Sequence, residues 1–201
     1  LYTAYLTTSD YGIVDLIITY VSLLVPVITV QLEMAAFRFL VDNREDKKII
    51  SKIITNILYC IMSFATLFIL GYIILINFIN IPYKWYILVN ILVTIFSNLM
   101  LQVSRGFGDN KTYSIGSFIT GSVIIISNVI FIAWFKIGAK GMLISSVLAN
   151  FICSIYLFIK LKVYKYINFK LINKEFIKKS LKYSWPLVPN GISWWIINAS
   201  D

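Results

Sequence analysis

Six residues of one apolar stretch, Asp15, Thr19, Ser22, Pro26, Thr29 and Glu33, are spaced 4, 3, 4, 3 and 4 apart. That spacing puts them on one face of an α-helix. At 1.5 Å per residue the stripe runs about 27 Å, nearly the thickness of a bilayer's hydrocarbon core. Serine and threonine on such a face suit either close helix packing or a wet cavity, and a proline bends the helix. The acids at the two ends favour the cavity, because an ionised carboxylate in lipid is costly unless a proton, a cation or a basic partner meets it. Asp15 and Glu33 are therefore candidates for coupling or gating, with Thr19 and Ser22 lining a path between them.

The same helix is expected to continue through Gln31, Met34, Ala35, Arg38 and Asp42 on a second face, where Arg38 and Asp42, one turn apart, can pair. Farther on, Asn90, Thr94, Ser97, Asn98, Gln102 and Arg105 share one broad half of a helix circumference. Two asparagines and a glutamine in one span must find hydrogen bonds, across helices or with water. Arg38 and Arg105, with Gln31, Asn98 and Gln102, form a candidate substrate or cavity set, with Arg38 a cation at the cavity mouth. The Lys111-Thr112 pair matches the last letters of a nucleotide P-loop, but the two required glycines fall at Arg105 and Asn110, and no strand precedes them, so no ATP site is supported. In Ser184-Trp185-Pro186-Leu187-Val188-Pro189-Asn190-Gly191, Pro186 suits a first helical turn, with Ser184 as its cap. Pro189 and Gly191 are expected to interrupt the next turn, and such interruptions border transport sites; a plain helix start is the alternative. Pro186, Pro189 and Asn190 thus join the gating candidates, with Asp201 deep in the following apolar run. No catalytic residue or cofactor is indicated. With no histidine, and with Cys60 and Cys153 each alone in an apolar run, neither is a metal site.

The elements that must position these residues follow from composition. Of 201 residues, 59% are hydrophobic and 13% charged, against about 25% charged in soluble domains. A mean hydropathy of +0.83 leaves too few polar side chains to coat a soluble globule. The net charge of +9 does not point to nucleic acid, because the bases sit in short links between long apolar runs. Residues 12–32, 53–78, 85–103, 113–135 and 142–161 each reach the ~20 apolar residues needed to cross a bilayer, and a sixth span starts near Ser184. In lipid every backbone amide must be paired internally, so these are helices. Gly141, Ser145, Ala149 and Cys153 recur every four residues, and Ser117 with Gly121 repeats this on a smaller scale, giving edges for close helix packing.

Fifteen bases fall in alternate links, against three in the others. By the positive-inside rule the fifteen-base side is cytoplasmic, with residues 1–11 and 80–84 outside. Residues 1–161 read as a first transmembrane lobe, comprising the tail of one helix and five complete spans. Residues 162–183 read as a basic cytoplasmic linker lying along the headgroups, and 184–201 as the truncated start of a second lobe. The absence of an initial Met and the apolar final stretch suggest a piece of a longer protein.

Several segments in this order resemble one family. They are Tyr2-Thr3-Ala4-Tyr5-Leu6 with Asp10-Tyr11-Gly12, Glu33-Met34-Ala35-Ala36-Phe37-Arg38, Gln102 through Thr112, and Trp185-Pro186-Leu187-Val188-Pro189-Asn190 leading to Trp194-Trp195 and Ser200-Asp201. The chain resembles the polysaccharide-biosynthesis flippases of the multidrug/oligosaccharidyl-lipid/polysaccharide exporter superfamily, over the first half of such a protein. The resemblance implies an all-α, two-lobed, MATE-like bundle in the bacterial plasma membrane. It implies transport of an undecaprenyl-pyrophosphate-linked oligosaccharide to the outer leaflet by alternating access. It also implies membrane lipid and other polysaccharide-assembly membrane proteins as partners, and no nucleic acid. The rival readings are a multidrug or cation antiporter of the same superfamily, centred on Asp15, Glu33 and Asp201, and a membrane glycosyl polymerase.

Overall fold

The computed structural model describes residues 7–78 and 82–200, without the side chains of Thr8, Trp194 and 198–200. The elements in order are α1 (Thr8–Thr29), α2 (Leu32–Asp42), α3 (Lys47–Ile76), α4 (Lys84–Gly106), α5 (Asn110–Asn128) with a π-helical turn (Val129–Trp134), α6 (Ala139–Lys160), 3-10 turns at Val163–Tyr166 and Phe169–Leu171, α7 (Lys174–Ser184) and α8 (Leu187–Ser200). Among the described residues there is no strand. Among the described residues five stretches are long and apolar enough to cross a membrane: Ser9–Thr29, Lys47–Ile76, Lys84–Gly106, Asn110–Trp134 and Ala139–Lys160. These are the five expected spans, shifted at their ends by a few residues where polar side chains start the helices. Thr7 accepts from the Asp10 N–H, Asp46 from Lys48 and Ile49, Asp109 from Thr112 and Asn173 from Phe176, each meeting amide groups that a helix start leaves unpaired.

Helix α4 is the centre of the bundle. Half of its apolar window is buried, against 22% for α3 and for the α5 span. Leu40 of α2 seats on Gly106, where a Cβ would stand 2.7 Å from the Leu40 Cβ. Gly141, Ser145, Ala149 and Cys153 are all buried along α6, as their spacing predicts. The partner edge on α5 is offset by one residue from the expected one. Ser117 and Gly121 are exposed, and Gly116 packs on Leu157, whose Cδ2 would lie 3.1 Å from a Cβ there.

Two expectations about helix continuity are corrected. The first span does not run on to Asp42: it breaks at Val30 and Gln31, whose φ angles of 52° and 56° are left-handed. Pro26 cannot donate to the Ser22 carbonyl. The Ser22 and Thr29 hydroxyls bond back to the Thr19 and Val25 carbonyls at 2.7 and 3.0 Å, which bends helices. The N–H groups of Val30 and Gln31 then turn back to Val27 and Pro26 and close the helix end. For a valine this backbone costs about 1–2 kcal/mol. The polar stripe is therefore split, with Asp15 to Thr29 on α1 and Glu33 on α2. Conversely, Pro189 and Gly191 do not interrupt α8. The turn lies at Trp185-Pro186, so Pro189 sits in the first turn of α8, where a missing N–H costs nothing. Ser184 ends α7 rather than capping α8.

The basic linker is clamped rather than free. Ser51 and Thr55 of α3 donate to the Tyr166 carbonyl, the Asn168 N–H donates to Thr55, and Asn56 donates to the Leu171 carbonyl while accepting from the Asn173 N–H at 2.7 Å. Thr55 and Asn56 are buried. This linker meets the first turns of α3 and, through Tyr166 on Phe107, the α4–α5 link, which Arg44 of the α2–α3 link also reaches. The three base-rich links thus converge there.

Candidate functional site

The break in the first span is where α8 comes in. A Cβ on Gly191 would lie 2.5 Å from Gln31 Nε2 and 3.8 Å from Pro26 Cβ, so the absence of a side chain lets α8 sit against the break. One turn along, the Trp195 indole N–H donates to the Thr19 carbonyl at 2.9 Å. Just past the break, Glu33 lies in the first turn of α2, 6% exposed, and among the described residues its Oε2 has no hydrogen-bond partner. Ser184, at the end of α7, is buried with its hydroxyl unpartnered as well. Pro26 and Gln31 thus meet Gly191 where α1 ends and α8 comes in, with Glu33 two residues farther along on α2. On α1 ahead of the break, Asp15 and Ser22 are exposed and Thr19 is half-buried.

The cations sit at the basic end. Arg38 is exposed and pairs with Asp42, Nε to Oδ2 3.5 Å, as the spacing predicts; an exposed pair of this kind adds little stability. Arg105 is held more firmly. Its guanidinium lies over the rings of Phe37 at 4.7 Å and Tyr113 at 5.5 Å, and Nη1 donates to Gln102 Oε1 at 3.2 Å. Cation–π contacts of this sort fix a guanidinium's plane while leaving its charge in place. Arg44, which the sequence reading passed over, closes the end of α4: its Nε donates to the Gly106 carbonyl at 2.9 Å, beside Gly108, whose φ is +79°. No local signal marks it, because the turn that it closes lies 62 residues farther along the chain.

Asp109 explains the P-loop-like Lys-Thr pair. It caps α5, accepting from the Thr112 N–H and hydroxyl. Those bonds, the side-chain one foremost, with Lys160 and Lys111 assisting, hold its carboxyl below the usual value.

The polar residues of α4 divide. Asn90 is buried and its Oδ1 accepts from Thr94 and from Ser146 of α6, both at 3.3 Å. Ser97 is fully buried with no partner for its hydroxyl. Asn98 and Gln102 are half-buried. Pro186 and Asn190 are exposed at the start of α8, and Asp201 lies outside the described residues.

A family model described as polysaccharide biosynthesis protein matches residues 1–201. No curated protein and no solved structure matches the chain.

Proposed function

The chain belongs to the polysaccharide biosynthesis protein family, and from that premise we propose that it is the first half of a transporter, not an enzyme, that moves a polyprenyl-pyrophosphate-linked oligosaccharide between leaflets of the bacterial plasma membrane. Residues 1–161 form its first lobe, 162–183 join the lobes, and α8 opens the second. The observation that carries this reading is the corner of α1, α2 and α8. An apolar bundle there keeps a buried carboxylate oxygen without a partner among the described residues, just past a strained helix break that seats α8. A group of this kind costs free energy until something binds it, which suits a proton or cation taken up and released as the lobes change arrangement. Arg38 and Arg105, at the end rich in bases, supply charge for a pyrophosphate, with Gln102 orienting Arg105. Asp15, Thr19, Ser22 and Asn98 line the route, and the turn at Pro186 ahead of Pro189 and Asn190 gives α8 a pivot.

The buried carboxylate of Glu33 also favours a second reading, exchange of a cationic drug for protons or sodium. Proteoliposomes of the full-length protein separate the two. A fluorescent undecaprenyl-pyrophosphate glycan should become accessible to a membrane-impermeant quencher on the far side, and the double variant Arg38→Ala with Arg105→Ala should slow this. A preparation that expels cationic dyes yet leaves the glycan lipid in place would overturn the proposal in favour of the antiporter.

A further inference from the structure

An open groove of about 700 Å³ lies where the α1–α2 break, the middle of α3 and the end of α7 face one another. Val30, Phe64, Leu181, Trp185 and Pro186 form its apolar walls, and Lys178 and Lys182 belong to its lining. The two lysines are one turn apart on α7, so their ammonium groups share a side of the helix. Both are exposed, and among the described residues neither has an ion pair, hydrogen bond or ring contact. Their neighbours differ: Lys179 lies over the Phe39 ring at 5.4 Å and Lys52 over Phe176 at 5.7 Å.

Helix α7 has the make-up of an interfacial helix. Phe176, Ile177 and Leu181 pack on the core, while Lys174, Lys178, Lys179 and Lys182 are exposed. Trp185, at its end, is 67% exposed, a placement typical of the headgroup level. The groove rises from that level toward Val30, since α8 climbs from Pro186 to meet the break at Gly191. Apolar walls with two uncompensated cations match an amphiphile with a phosphate head and an apolar tail.

We infer that this groove binds an anionic phospholipid, with its phosphate between Lys178 and Lys182 and an acyl chain along Phe64 and Val30. The groove lining contains lysines and no arginine. Lysine acts as a point charge, suited to a singly charged phosphodiester, whereas a pyrophosphate is matched best by the bidentate arginine fork. Because Val30 is itself one of the left-handed residues of the break, the seated chain braces that break. The site stands independently of what the protein transports.

Native mass spectrometry of the full-length protein released from micelles containing phosphatidylglycerol and phosphatidylcholine tests this. Wild type should retain phosphatidylglycerol preferentially, and the double variant Lys178→Gln with Lys182→Gln should retain about tenfold less. A control of equal charge, Lys165→Gln with Lys170→Gln on the neighbouring linker, should retain as much as wild type. In nanodiscs, phosphatidylglycerol with brominated chains should quench wild-type fluorescence more than that of Trp185→Phe. Equal losses in the two double variants, or no preference over phosphatidylcholine, would overturn the inference. So would displacement of the lipid by inorganic phosphate, or by undecaprenyl phosphate at equal concentration.

Discussion

Helices α4 and α6, and the corner of α1, α2 and α8, both carry polar side chains within apolar helices, and they dispose of them differently. Between α4 and α6 the groups are paired: Asn90 accepts from Thr94 and Ser146, while Ser145 and Ser154 donate back to the carbonyls of Gly141 and Asn150. Among the buried groups described there, the Ser97 hydroxyl is the exception, and it is neutral. Around the break the buried atoms without a hydrogen-bond partner among the described residues are the Ser184 hydroxyl, at the end of α7, and a carboxylate oxygen of Glu33, two residues past the left-handed Val30 and Gln31. A paired amide is accounted for by packing. A carboxylate left short of a partner beside a strained break is a feature that packing alone would remove. The count of polar residues in a span therefore says less about function than the balance of their hydrogen bonds.

Two substitutions set these regions against each other. Glu33→Gln keeps shape and removes the ionisable group. If the corner serves coupling, glycan-lipid movement in proteoliposomes falls about tenfold or more, equivalent to about 1.4 kcal/mol in the barrier. The thermal midpoint stays or rises, because an amide is cheaper to bury than a carboxylate. A lower midpoint with an unchanged rate per folded molecule would make Glu33 a packing residue and erase the distinction. Asn90→Leu should behave the opposite way. It removes the acceptor of an interhelical bond, so stability in detergent drops by about 1 kcal/mol while the rate per folded molecule holds. A selective loss of transport in this variant would move the functional boundary into the α4–α6 interface.

Much of this was legible beforehand, for reasons that differ by residue. The five spans announce themselves because about 20 apolar residues in a row have few other uses. The Arg38–Asp42 pair follows from one helical turn of separation, and the buried α6 edge from four-residue spacing. The break after Thr29 was not legible. Left-handed backbone is ordinarily marked by glycine or asparagine, and here Val30 and Gln31 adopt it, held by bonds to Pro26 and Val27 and covered by Gly191 from far along the chain. The same non-locality hid the role of Asn56, which fastens the linker more than a hundred residues away. On α5 the small residues offered two neighbouring registers, Gly116 and Ser117, and only the packed partner Leu157 chooses between them.

The mildest perturbation falls on the paired side, at an ionisable group that has its partners. Asp109 caps α5 through Thr112, and these bonds keep its folded-state value below that of the unfolded chain. A group lowered on folding contributes stability that is fully present above its unfolded value, near 3.9. That contribution is lost as pH falls through the lower folded value. Between pH 8 and pH 5 the carboxyl stays ionised in both states and adds no pH dependence. Asp109→Asn keeps a good cap through Oδ1 and loses the charge at the helix start, a cost of about 0.3 kcal/mol, while the Thr112 hydroxyl turns to accept from the new amide. The expected thermal midpoint at pH 7 is therefore barely lowered, with a weaker dependence on pH at the acid end. If the variant instead gains a new slope between pH 5 and pH 7, a group with a displaced titration has been uncovered. A double variant with Glu33→Gln then assigns it: loss of that slope would place the group in the corner of α1, α2 and α8, and its persistence would place it at the basic end.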